Sequence, residues 1–268
     1  MLGLASVPAN GQTPAEETSE KAGAIEEILD SICAEGYNLF TAECVNWIST
    51  DSLLAHFRAE EIGGKIMWQP TIDTWSVVFT DKEKNESILE FKYDIDSKER
   101  SISLVPRPLS WFEKQAMEKK NLMYKNAVEQ YGDSLRYNPE YGRLNFDYIR
   151  IDDNTTRLYI VHGVERAGII PFGYDYSIDF DNDCNIKAFR RYHNSFLPQP
   201  NDAVSITHSH LKNNPYITPT DICTFLLYRG EMKETSIYSS ALKGYILYDA
   251  ETNTATFLTT EEMMERIK

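Results

Sequence analysis

Residues 203–230 read AVSITHSHLKNNPYITPTDICTFLLYRG, and the architecture of the second half of the chain turns on them. Val204, Ile206, His208 and His210 alternate with Ala203, Ser205, Thr207 and Ser209. Period two is a strand pattern, and it predicts both imidazoles on one face. Thr218-Pro219-Thr220-Asp221 is a helix start: a hydroxyl at the N-cap, Pro at the first helical position and an acid at the third. The apolar run from Ile222 to Tyr228 continues that helix, and Gly230 ends it. A strand, a loop and a helix N-terminus in this order can aim two nitrogens and one oxygen at a single point. Three such ligands with a water in the fourth position make a catalytic zinc site. The same residues also have a structural reading. Asp221 suits the helix dipole as a capping acid, and the histidines extend the apolar face of Val204 and Ile206. A carboxylate turned toward the histidines faces away from the Thr218 N–H, so the ligand and capping roles of Asp221 are expected to exclude one another.

The pattern His208-Ser209-His210, seven residues, Thr218, two residues and Asp221 resembles the signature of the JAMM metalloproteases of the JAB/MPN fold. The resemblance spans roughly residues 155–250, with its specific part between His208 and Asp221. Two positions depart from the family: Leu211 stands where Pro usually follows the second His, and Thr218 replaces a Ser. The resemblance implies zinc on His208, His210 and Asp221, with Thr218 helping to hold a reaction oxyanion. It also implies an upstream glutamate as general base, for which Glu165 is the first candidate and Glu140 the second. The implied activity is zinc-dependent hydrolysis of an amide or isopeptide bond in a peptide or peptide-like substrate. The alternative is a non-catalytic exported binding or assembly protein, on a JAB-like or an unrelated β-rich scaffold. The intact His-to-Asp spacing favours the enzyme; Leu211 and the unmatched glutamate stretch favour the alternative.

Composition narrows the partners. A net charge of −14 over 268 residues repels a phosphate backbone and an anionic membrane surface. No stretch approaches the length of a transmembrane helix, so membrane insertion is not expected. Cys33, Cys44, Cys184 and Cys223 lack the CxxC spacing of a zinc knuckle or a redox motif. Met1 to Ala9 looks like the end of a signal peptide, with Val7 and Ala9 suiting the small-residue cleavage positions. That reading predicts a periplasmic or secreted protein; the other reading is a cytoplasmic one with a flexible tail.

Periodicity outside the opening stretch gives an α+β chain in three parts: a tail over 1–21, an N-terminal lobe of helices and antiparallel sheet over 22–135, and a JAB/MPN-like mixed-sheet domain with flanking helices over 143–268. A helix over 25–36 stops at Gly36, and a second covers 52–58. Strands are expected over 74–80, 87–95 and 101–105. Ser110 and Glu113 box the start of a long helix reaching about Tyr131, expected to cover the N-terminal sheet. Hairpins follow over 143–162 and 174–193, and Pro198-Gln199-Pro200 reads as a loop. Asp179, Asp181, Asp183 and Asn185 alternate like calcium ligands, but a polar turn explains them better. His56, His162 and His193 show no partner pattern.

Overall fold

A computed structural model describes residues 14–268. Met1 to Ala9, read as a signal-peptide remnant, therefore lies outside the described residues. The first element is α1 (Pro14–Leu54), a single helix. It replaces the two helices expected over 25–36 and 52–58, and from Pro14 onward it also takes up the tail expected to be flexible. Gly36 is a crossing point instead of a stop. A Cβ built there would lie 2.7 Å from Cβ of Ile222, so only glycine lets the partner helix approach. Tertiary packing offsets the helix cost of a glycine, about 1 kcal/mol.

An antiparallel sheet follows: β1 (Ile62–Thr71), β2 (Thr74–Asp81), β3 (Glu86–Asp94) and β4 (Arg100–Ser103) lie in that order, with the short β5 (Arg107–Pro108) on β3. Helix α2 (Trp111–Tyr131) begins at the expected Ser110–Glu113 capping box. Next come β6 (Leu144–Asp152), β7 (Thr155–His162), β8 (Ile169–Gly173), β9 (Tyr176–Phe180) and β10 (Ile186–Arg191). Four of these form an antiparallel sheet in the order β10-β9-β7-β6, while β8 pairs with β11 (Phe196–Pro200). The stretch expected to be a proline loop is thus a strand. Pro198 and Pro200 have the same parity in a two-stranded ribbon, where alternate N–H groups point away from the partner and a proline costs no ladder bond.

The chain then runs through β12 (Thr207–His210), α3 (Pro219–Tyr228), β13 (Glu234–Ser239), β14 (Gly244–Asp249), β15 (Thr254–Thr259) and α4 (Thr260–Arg266). Strand β12 pairs parallel with β13, and β13, β14 and β15 pair antiparallel, so this sheet is mixed. The expected strand over 203–210 is shortened at its start, and Val204 stands in solvent. The fold is α+β. Among the described residues no helix is long and apolar enough to cross a membrane.

The cores explain how the site is held. Leu29 and Cys33 of α1 pack with Phe172, Ile222, Phe225, Ile237 and Ile246. Further along the same helix, Leu39, Ala42 and Val45 pack with Trp75, Val77, Phe79 and Phe91, and with Tyr159 and Val161. One helix therefore lies in cores on both sides of 135–143. The buried face of α2 departs from expectation. Met123 and Ala127 pack on Leu158, Ile160, Tyr176 and Ile178 of the β6–β10 sheet. Its contacts with the N-terminal sheet are at β1, where Lys120 Nζ donates to the Lys65 carbonyl at 3.1 Å and Phe112 meets Trp68 edge-on, and at β5, where Arg107 pairs with Glu113. Cys33 and Cys223 are small core residues as their helical faces suggest, and all four cysteines are free.

Candidate metal centre

Three segments converge beside α3. Period two along β12 turns His208 and His210 inward while Thr207 and Ser209 face out. The loop from β12 to α3 returns the chain so that Asp221 stands in the first helical turn, two residues after the N1 proline. The third segment is the open end of the β9–β10 hairpin. The Tyr192 N–H donates to the Asp175 carbonyl at 3.1 Å, which pins the two sides of the hairpin mouth together. His193 is the next residue. Asn214 Nδ2 donates to the Tyr192 carbonyl at 3.0 Å and ties this loop to the one entering α3.

Four side chains meet there, and all are buried: His193, His208, His210 and Asp221, with one ligand atom of each within 4.8 Å of every other. His193 Nε2 lies 2.9 Å from His210 Nε2, and His208 Nε2 lies 3.1 Å from it. Asp221 Oδ1 is 3.2 Å from His208 Nε2 and 3.4 Å from His193 Nε2, and Oδ2 is 3.4 Å from His210 Nε2. A tetrahedral zinc with Zn–N of about 2.0–2.1 Å places its donors roughly 3.3 Å apart. The four separations among the Nε2 atoms and Oδ1, from 2.9 to 3.4 Å, bracket that value.

The remaining ring nitrogens decide what this cluster can hold. His210 Nδ1 sits 2.6 Å from the Tyr216 carbonyl, which can only accept, so Nδ1 carries the proton. His193 Nδ1 sits 2.7 Å from Asp175 Oδ1, again an acceptor. Thr220 Oγ1 donates to the other Asp175 oxygen and fixes that carboxylate. In the neutral rings both Nε2 atoms are therefore bare lone pairs facing one another, beside the buried carboxylate oxygen Asp221 Oδ1, which has no donor. Acceptors this close repel unless a proton or a metal ion stands between them. Burial opposes charge on His193, but Asp175 and then Asp221 outweigh it and hold its pKa up at about 9. Burial pushes His210 down, toward the neutral ring. Burial would raise Asp221, yet the three histidines hold it far below the usual carboxylate range. The group can hold a metal ion, with carboxylate–histidine and carbonyl–histidine pairs orienting two of its ligands.

His208, His210 and Asp221 come together as expected. One expectation is corrected. Asp221 both caps and faces the histidines, because a carboxylate has two oxygens. Oδ2 accepts from the Thr218 N–H at 2.9 Å and the Thr218 hydroxyl at 2.7 Å, leaving Oδ1 for the cluster. Thr218 is the N-cap, and its hydroxyl is engaged with Asp221 and Thr220. Glu165 is exposed and bidentate to no histidine; it pairs with Arg143 at 2.6 Å, and Glu140 is exposed too. The position expected for water is faced by His193, which sequence reading missed. A signal was present: Asp175 and His193 flank the same hairpin, and strand register brings such flanks together. The alternating acids nearby are structural, since Asp179 pairs with Arg157 and Arg190 while Asp181 closes its turn onto Asp183 and Asn185.

No protein-family model matches the chain, and no curated protein matches it in sequence.

Proposed function

We propose that the protein binds zinc through His193, His208, His210 and Asp221, and that this closed centre fastens the β9–β10 hairpin to β12 and α3. The observation that carries the reading is the convergence of three buried imidazole nitrogens, two of them 2.9 Å apart, beside a buried carboxylate oxygen without a hydrogen-bond partner. Three nitrogens and one oxygen suit zinc, and four protein ligands are the mark of a structural site. A ligand set drawn from three separated segments makes metal binding part of folding free energy. The reading is of a non-catalytic binding or assembly protein on a JAB-like or an unrelated β-rich scaffold.

Metal analysis of the purified chain tests it. About one equivalent of zinc is expected, lost on chelation together with a fall of several degrees in Tm. Substoichiometric metal that zinc addition does not restore, with Tm indifferent to chelator, would overturn it.

A second reading is amide or isopeptide hydrolysis, favoured by the convergence of His208, His210 and Asp221 at the spacing that resembles the JAMM signature. Zinc bound there would supply Lewis acidity. His193 would have to leave the cluster to open a position, and the Asp175–His193 pair would then stand ready to take a proton. Turnover of isopeptide-linked substrates by the zinc-loaded wild type, abolished in Asp221→Asn, would establish this reading over the first.

A further inference from the structure

A second place in the molecule holds buried charge without an ionic partner. Between β1, α2 and β6 lies a cavity of about 740 Å³. Lys65 of β1 and Lys120 of α2 line it, and both are largely buried. Each ammonium has three donors. Lys65 Nζ donates to Asn46 Oδ1, and Lys120 Nζ donates to the Lys65 carbonyl. Among the described residues these are the hydrogen bonds the two ammoniums make, and neither bond is to a carboxylate.

The acids nearby do not balance them. Asp147 lines the floor, and its Oδ1 accepts from Asn46 at 3.1 Å. Glu43 stands behind it. Burial, and then repulsion from Asp147, raise its pKa well above the ordinary carboxylate value. The cavity lining carries Lys65, Lys119, Lys120 and Arg150 against Asp147, Asp152 and Asp153, a positive surplus inside a chain of net charge −14. Buried charge without a counter-ion is costly. Lys120 shows the cost: burial and then the charge of Lys65 bring its pKa down to about 8. The walls are aromatic. Trp68 and Phe112 meet edge-on with centroids 5.5 Å apart, and the Tyr148 ring lies 5.8 Å from Lys120 Nζ. An apolar cavity with a few convergent polar groups is the usual form of a small-molecule site.

We propose that this cavity is a ligand site for a small organic carboxylate with an aromatic or apolar body. The carboxylate sits on the unused donors of Lys65 and Lys120, and the body lies against Trp68 and Phe112. The site is separate from the metal centre and does not depend on it.

Titration of the full chain with naphthoate, followed by tryptophan fluorescence, tests the proposal, with the uncharged naphthamide as the matched control. Saturable binding of naphthoate is expected, at least about tenfold tighter than naphthamide. Lys120→Met should weaken naphthoate by a similar factor and leave naphthamide unchanged. Ala116→Trp, which fills the cavity from α2, should abolish binding of both, and it decides the matter if Lys120→Met does not fold. Equal affinity for the two probes, no saturation at millimolar naphthoate, or unchanged binding in the folded variants would overturn the proposal.

Discussion

Helices α2 and α3 begin with the same device, and only in α3 does the capping acid also face a cluster of histidines. At α2, Ser110 and Glu113 form a capping box, and at α3, Thr218 and Asp221 form another. Glu113 spends both oxygens on structure. Oε2 accepts from the Ser110 N–H at 2.7 Å and from Arg107, and Oε1 accepts from Arg107 at 2.6 Å. Asp221 spends one oxygen on its cap and keeps the other, with no donor, against three imidazoles. The local signal is the same in both. What separates a cap from a candidate ligand is the partner supplied to the second oxygen: a guanidinium satisfies it in one case, and a cluster of imidazoles that can hold a metal ion faces it in the other.

The direct way to break this comparison is to neutralise each acid. Asp221→Asn should lower zinc affinity at least about 100-fold, as loss of a charged ligand does, while circular dichroism stays native because the amide oxygen can still accept at the cap. Retained zinc affinity would put Asp221 in the same class as Glu113. Asp175→Asn tests the supporting shell. It leaves every ligand in place but loosens the tautomer of His193, and competition with a chromophoric chelator should show a loss of about 10–100-fold. The comparison also needs α3 seated where it is. Gly36→Ala drives a methyl group into Ile222, and chemical denaturation should register about 1–3 kcal/mol of destabilisation. The smallest effect belongs to the purely structural box. Glu113→Gln should cost about 1–2 kcal/mol and leave zinc binding untouched. Its pH dependence has a definite sign. Arg107 leads the causes that hold the Glu113 pKa down at about 2, against an ordinary 4.5. Its stabilisation is therefore complete above about 4.5 and fades as pH falls toward 2. Glu113→Gln should remove that acid-side loss from the wild-type stability curve.

Much of the centre was readable because it is local. His208, His210 and Asp221 lie on one strand and one helix start, where period and capping chemistry fix direction. His193 was not read from the sequence because its place depends on a hairpin's register and on a loop clamp through Asn214, neither of which leaves a spacing pattern. The strands of the hairpins were legible through alternation, whereas β8 and β11 were hidden by their prolines and glycine. Gly36 misled in an instructive way. Its residue type gives the same signal at a helix end and at a close crossing, and only the arrival of Ile222 tells them apart. The surface that α2 covers was misassigned for a related reason: an apolar stripe states that a partner exists and does not name it.

The reach of α1 sets a problem of timing. Its stripe of Leu29 and Cys33 leaves the ribosome long before Ile222, Phe225 and Ala255, which cover it. At roughly 5–20 residues per second, that apolar face waits on the order of ten seconds or more for its cover. Through that interval Leu39, Ala42 and Val45 can already pack on the N-terminal sheet, while the part of the helix carrying Leu29 and Cys33 lacks its final cover. A chaperone or a nearby strand of the growing chain can hold it, and refolding in isolation should be slow and prone to aggregation until the C-terminal sheet arrives.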